Sequence, residues 1–306
     1  MTAKRPDGLF PIRTVASVTG VNPITLRAWE RRYGLIRPQR TAKGHRLYTQ
    51  DDIDLIQRVT DLLEKGIPIS QVQEQLKADT ATATGGTEDL WVQYQRRMLH
   101  AVGRFNTQAL EQLYNEVLSL YPVDMVTSHL IVPLLKTLGE RWEQAEGSVA
   151  EEHFFSAYLR NKLGARFHHR TPRARGPVLV AACLPGEQHE IGLMLFSLSA
   201  LERDFRVVLL GADIPLDEIP SPVHKTQARG IILSGSIEPR NTVLERDLPT
   251  LVNTTGVPVL VGGHTAVRHR DRIVRAGAIP AGTDIAQGIR RLGELLGSEA
   301  AALSGD

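Results

Sequence analysis

The sequence predicts a multidomain α and α/β protein, on three observations. A short helix, a Gly-bearing turn and a second helix stand near the start, helical periodicity runs from Leu90 to Phe167, and strand and helix alternate from Pro177 onward. At 306 residues the chain suits two or three domains. Its apolar fraction of 42% and charged fraction of 23% are those of a globular protein in water. No apolar run is long enough for a membrane span. The first residues are polar and unlike a secretory signal, and the single cysteine, Cys183, excludes an internal disulfide framework. A cytoplasmic protein without a membrane partner is expected.

The net charge of +2 hides an uneven distribution. Residues 1–50 carry ten Lys or Arg against only Asp7 and Glu30, and the next thirty residues reverse the balance. A local excess of this size is an electrostatic footprint for polyanions. On charge alone a solvated basic surface explains it equally well, so the pattern must decide.

Ile12 to Val18 reads as a short helix with Thr14 as its cap. In the turn Thr19-Gly20-Val21-Asn22-Pro23, Gly20 allows the sharp bend, Asn22 caps the next helix and Pro23 fits its first position. That helix runs through Leu26 and Trp29 to about Tyr33, where Gly34 ends it. Trp29 reads as a core aromatic beneath it. This is the helix-turn-helix arrangement. Lys43 to Tyr48 reads as a tight hairpin. Thr49 then caps a helix with Ile53, Ile56, Val59, Leu62 and Leu63 on one face, and after Gly66-Ile67-Pro68 a shorter helix, capped by Ser70, ends near Leu76.

Residues 78–87 contain no large apolar group and read as a linker. Residues 88–170 are expected to form a four-helix bundle, with breaks near Asn106, Pro122 and Gly147. A polar join, His168 to Gly176, precedes a change of period. Val178 to Leu184, Arg206 to Leu210, Gly230 to Leu233 and Pro258 to Val261 read as strands, with Gly277 to Pro280 as a weaker fifth. The stretches between, such as Ile191 to Arg203 and Ile285 to Leu296, read as helices. Residues 177–297 are therefore expected to be Rossmann-like (flavodoxin-like), with a ligand site at the C-terminal strand ends.

The segment Asn22 to Tyr33, with the Gly44-x-Arg46-x-Tyr48 hairpin at this separation, resembles the MerR family of winged-helix regulators across residues 9–77. The resemblance implies double-stranded operator DNA as partner, with the second helix in the major groove and the wing on flanking phosphates. Thr25 and Arg27, early on that helix, are expected to reach base edges or phosphates. Arg31, Arg32, Lys43, His45 and Arg46 suit phosphates, and Tyr33 is placed on the same surface. Tyr48 is expected to pack the wing while its hydroxyl reaches a phosphate. Many members carry a long dimerisation helix after this domain. Here the polar linker comes instead, so self-association is assigned to the C-terminal half.

The first strand of the α/β region ends in Glu187-Gln188-His189-Glu190-Ile191-Gly192. A lone His in such a loop is ordinarily a surface or capping residue. Here Glu187 stands two positions earlier, where it can orient the imidazole as a metal-ligating His requires. Forty-one residues separate Gly192 from Ser234-Gly235-Ser236, and twenty-five more separate Ser236 from Gly262-Gly263. This spacing resembles that of cobalamin-binding domains. It departs from them in Glu187 for the usual Asp, in Ser236, and in a last interval about one residue short. The resemblance implies that His189 is the lower cobalt ligand, that Ser234 and Ser236 bond the displaced nucleotide tail, and that Gly192, Gly262 and Gly263 leave room for it.

Trp142, nine intervening residues, then Glu152-His153 is similar to an element of cobalamin photoreceptor regulators of the CarH and LitR group. In that group the bundle covers the upper face of adenosylcobalamin, which here implies Trp142, Val149, Glu152 and His153 around the adenosyl group. Without the resemblance Trp142 is ordinary bundle core, and Glu152-His153 a solvated face. Glu143 stands where some of these photoreceptors have a second cobalt-ligating His, and His129 and His153 are other bundle histidines.

The expected protein is a light-responsive repressor. It binds DNA as an adenosylcobalamin-dependent dimer or tetramer and is released on photolysis. The alternative is a cobalamin- or effector-sensing regulator without photochemistry, which Glu143 favours. A cobalamin-dependent enzyme needs a substrate domain for which the DNA module leaves no residues, so no catalytic residue is assigned.

Overall fold

A computed structural model describes residues 8–41, 43–77, 90–143, 147–171 and 174–302, without the side chains at 77, 124, 142, 143, 170 and 297–302. The expected linker, 78–87, lies outside the described residues. Two compact units divide the chain, Met1–Phe155 and Ser156–Asp306. Among the described residues no helix is long and apolar enough to cross a membrane.

The first unit opens with β1 (Phe10–Pro11) and α1 (Ile12–Thr19). Pro11 precedes α1 and Gly20 closes it in a left-handed conformation, so Thr14 lies inside the helix and is not its cap. The side chain of Asn22 accepts bonds from the backbone N–H groups of Ile24 and Thr25, which starts α2 (Pro23–Ala28) as expected. A π-helical turn, Trp29–Tyr33, continues α2 to Gly34. The wing is larger than the expected hairpin. Strand β2 (Gln39–Arg40) pairs with β3 (Arg46–Tyr48), and β1 pairs with the other side of β3. A two-residue strand lacks the alternation by which sequence announces strands, which is why β1 and β2 were not legible.

Thr49 and Asp52 form a reciprocal capping box for α3 (Gln50–Glu64), which buries Ile53, Ile56, Val59 and Leu63. Helix α4 spans Ile69–Lys77, so Ser70 lies within it rather than capping it. The next helices break where expected: α5 (Leu90–Gly103), α6 (Thr107–Leu120, capped by Asn106), then α7 (Val123–Val126), a π turn and α8 (Val132–Glu143), which follow one another without a break. The long α9 (Val149–Arg170) runs three residues past Phe167, into the expected polar join.

Trp29 is fully buried and its indole Nε1–H donates to the carbonyl oxygen of Leu120, 2.8 Å away at the end of α6. Helix α2 and its π turn are thus packed on α6, a contact between residues 91 positions apart that no local pattern announces. His129 stacks on Trp91, with ring centroids 5.4 Å apart.

In the second unit five parallel strands, β4 (Val178–Cys183), β5 (Arg206–Gly211), β6 (Gly230–Ser234), β7 (Val259–Gly262) and β8 (Ile279–Gly282), lie in the order β5-β4-β6-β7-β8. All six residues of β4 are buried. Val178, Val180 and Ala182 face one core cluster while Leu179, Ala181 and Cys183 face the other, as a strand covered on both faces requires. Helix α10 (Ile191–Glu202) follows β4, and α15 (Ile285–Ala302) packs beside it. The chain leaves β4 for β5 on one side and later returns to place β6 on the other. The strand order therefore reverses between β4 and β6, where a doubly wound sheet opens a crevice.

Trp29→Phe keeps a buried ring but strands the Leu120 carbonyl and leaves a small void. The expected loss is about 1–3 kcal/mol of stability, read from the urea midpoint of the full chain.

Candidate functional site

The N-terminal surface is built on α2 and the wing. Arg27, Arg31, Arg32, Lys43 and His45 are exposed, and Tyr33 is half-buried. Three residues depart from expectation. Thr25 is fully buried, with its hydroxyl accepting from the Asn22 side-chain amide at 3.0 Å, so it faces the core and not a base edge. Tyr48 is also fully buried, and its hydroxyl has no hydrogen-bond partner among the described residues, so it packs the wing rather than facing a phosphate. Burial pushes its pKa up to about 12. Arg46 is half-buried and bonded to Glu30. On the outward side of α2, beside Arg27, stands Ile24, 67% exposed and not singled out by charge or pattern.

Glu30 organises the wing. One carboxylate oxygen accepts from Arg40 at 2.9 Å and the other from Arg46, which fastens both wing strands to the π turn after α2. Burial opposes its charge, but the bonds and charge of Arg46, then Arg40, prevail and hold its pKa below the ordinary value. The signal was in the sequence: Glu30 and Asp7 are the only acids among the first fifty residues.

The bundle candidates Val149, Glu152 and His153 share one face of the first turns of α9, at positions i, i+3 and i+4. Val149 and His153 are exposed and Glu152 is half-buried. Trp142 belongs to the last turn of α8, and its side chain lies outside those described.

The α/β candidates converge at the β4–β6 boundary. Glu187 is 1% exposed and joins the two loops there. Its Oε1 accepts from the His189 backbone N–H at 2.8 Å and meets His189 Nδ1 at 2.7 Å. Its Oε2 accepts from the Ser236 hydroxyl at 2.7 Å, and from the backbone N–H groups of Ser236 and Ile237. Burial raises the pKa of such a carboxyl, but the bonds from His189 and Ser236 outweigh it and hold it at about 2. Glu187 is therefore an anion at neutral pH, which keeps a proton on Nδ1 and places the ring's coordinating lone pair on Nε2. The imidazole itself is 65% exposed.

Around this centre Gly192 lies against Ser234, whose Oγ would stand 3.9 Å from an added Cβ. Gly263 has φ +86°, and a Cβ there would strike the Gly235 carbonyl, so glycine is required by the chain's own packing. At Gly262 a Cβ would make only ordinary contacts. The Ser236 hydroxyl is spent on Glu187, which leaves its oxygen lone pairs, rather than its proton, for a ligand. Asp213, which sequence reading passed over, bonds the same loop from the end of β5. A Gly-x-Asp directly after a strand was its signal.

The donor chemistry fits a corrin-held cobalt. One oriented imidazole is a sufficient protein contribution only for a metal that brings its own equatorial ligands, and imidazole is a suitable donor to cobalt.

Two outcomes test these carboxylates. A group whose pKa falls on folding stabilises the fold above its unfolded pKa, and that stabilisation is lost as pH drops through the folded value. Glu30→Gln should cost roughly 1 kcal/mol at neutral pH, a small figure because Arg40 is half-exposed. The gap from the parent protein should close in acid, as parallel urea titrations would show. Glu187→Ala should cost about 3 kcal/mol by leaving several donors unpaired. An unchanged midpoint would mean that the carboxylate does not hold the two loops.

The MerR HTH family of regulatory proteins matches residues 10–79, and the B12 binding domain family matches residues 94–166, which fall on α5 to α9. The HTH-type transcriptional repressor CarH of Myxococcus xanthus is 32% identical over 278 residues, covering 85% of this chain and 91% of its own. CarA, another HTH-type transcriptional repressor of that organism, is 30% identical over 273 residues, covering 87% and 91%. Among solved structures, the monomethylamine corrinoid protein of Methanosarcina barkeri shares the fold at a TM-score of 0.54 and 20% identity, over 66% of this chain and 98% of its own. The chain is a MerR-type transcriptional regulator with a cobalamin-binding domain, and it belongs to the family of CarH and CarA.

Proposed function

We propose that the chain is a light-responsive repressor that binds operator DNA as an adenosylcobalamin-dependent oligomer and lets go on illumination. The reading divides it into a DNA-binding domain at 9–77, a linker at 78–87, a bundle at 88–170 that caps the cofactor, and a cobalamin-binding domain at 177–297. The observation that carries it is the oriented His189 imidazole at the strand-order reversal, beside Glu187 and Ser236. Likeness to a repressor over nearly its whole length supports the regulatory part.

His189 Nε2 would hold the cobalt in this reading, with Glu187 holding the opposite ring nitrogen. Gly192, Ser234, Ser236, Gly262 and Gly263 line the path of the cofactor's tail, with Ser234 donating to it and Ser236 accepting. Trp142, Val149, Glu152 and His153 contact the adenosyl group. Bound adenosylcobalamin would supply a cobalt–carbon bond that light can break. The chain's part is to hold the cofactor differently before and after, and so bias an assembly equilibrium. Arg27, Arg31, Arg32, Lys43 and His45 contact DNA phosphates. Joining several such surfaces in one dimer or tetramer raises occupancy through effective concentration, with no change in any single contact. The protein works in the cytoplasm and turns over no substrate.

The test is to load the full chain with adenosylcobalamin in darkness, then measure size and operator binding before and after green light. Loss of oligomer and of DNA binding on illumination is expected. Dark and illuminated samples that elute and bind alike would leave the second reading, cobalamin sensing without photochemistry, which Glu143 in place of a further histidine favours.

A further inference from the structure

We propose that Asp213 is a positioning residue for His189, holding the backbone of the ligand loop while Glu187 holds the ring. The inference rests on the reading of His189 as the lower cobalt ligand.

Asp213 follows β5, the edge strand beside β4. Its Oδ1 accepts from the Gly186 N–H at 2.7 Å, and its Oδ2 accepts from the Gln188 side-chain amide at 3.3 Å. Its own N–H donates to the Glu187 carbonyl at 3.0 Å. One residue therefore fixes the three positions that immediately precede His189. The loop is gripped from both sides: Asp213 reaches it from the β5 end, and Ser236 and Ile237 reach it from the β6 end through the Glu187 side chain.

The backbone carries the mark of this duty. Asp213 has φ +50°, a left-handed conformation that only a few of the described non-glycine residues adopt, and Gly186 opposite it has φ +85°. Aspartate tolerates that region better than most side chains but still at a cost, and such strain persists where surrounding bonds over-determine it. An ordinary turn aspartate bonds its own neighbours. Asp213 spends both oxygens and its N–H on residues 25 to 27 positions away.

The test uses the full chain loaded with cobalamin. Adenosylcobalamin affinity is measured directly, and electron paramagnetic resonance of the reduced cob(II)alamin form, in protein carrying 15N-labelled histidine, reports a coordinated imidazole by a doublet splitting that the cofactor's own 14N base does not give. Asp213→Ala and Asp213→Gly should each weaken affinity about 10-fold or more and leave a fraction of cobalt without the 15N doublet. Asp213→Asn keeps an oxygen acceptor and accepts the left-handed φ, and should retain most of both. Glycine removes the carboxylate while relieving the backbone, so it separates the two causes. Full splitting and unchanged affinity in Asp213→Gly would overturn the proposal, and so would loss in Asp213→Asn as deep as in Asp213→Gly. His189→Ala tests the reading beneath: a 15N doublet that survives there refutes the ligand assignment, and the proposal falls with it.

Discussion

Everything at the C-terminal site depends on one buried anion. Removing a carboxylate from water costs several kcal/mol unless donors replace the lost hydration. Glu187 receives five hydrogen bonds, two from His189, two from Ser236 and one from Ile237. Those donors come from loops that the sheet brings together only because β6 lies directly beside β4. Fold and site are thus coupled: without the parallel pairing the charge would have no donors, and without the charge the two loops would have no common anchor. A glutamate, longer by one methylene than aspartate, gives one oxygen to the histidine and the other to the serine loop.

A similar device works at the other end of the chain. Glu30 gathers two guanidinium groups from the wing, as Glu187 gathers an imidazole and a hydroxyl. In each place a single acid among donors decides which of them face outward. Arg40 and Arg46 are restrained, while Arg27, Arg31, Arg32 and Lys43 remain exposed on the same basic surface. For a protein proposed to bind DNA through several linked copies, this division lowers the charge available to non-specific contacts and sets the wing angle at once.

What was legible in the sequence was local. Five strands and the helix breaks at Asn106, Pro122 and Gly147 follow from period, caps and breakers, each decided within a few residues. The grouping of His189, Ser234 and Gly262 came from the resemblance of their spacing to that of cobalamin-binding domains, and the sheet places them at or just beyond strand ends. What was hidden was tertiary. Thr25 sits at a helical position that charge marks as outward, yet its hydroxyl serves the Asn22 cap. Tyr48 looks like a polar aromatic on a wing tip, but β1 covers the far side of its strand. The bond from Trp29 to Leu120 and the three from Asp213 join segments whose proximity only the folded chain creates.

The one cysteine gives the site a further property. Cys183 ends β4, six positions before His189, with its side chain wholly buried. Burial first, and the nearby Glu187 and Glu190 charges after it, push its pKa up to about 12. Thiolate is a softer and stronger donor to late transition metals than imidazole. The strand that presents the histidine thus points the chain's only sulfhydryl into the core and keeps it protonated. Geometry and acid–base chemistry together thus keep Cys183 from competing with His189 for the metal proposed there.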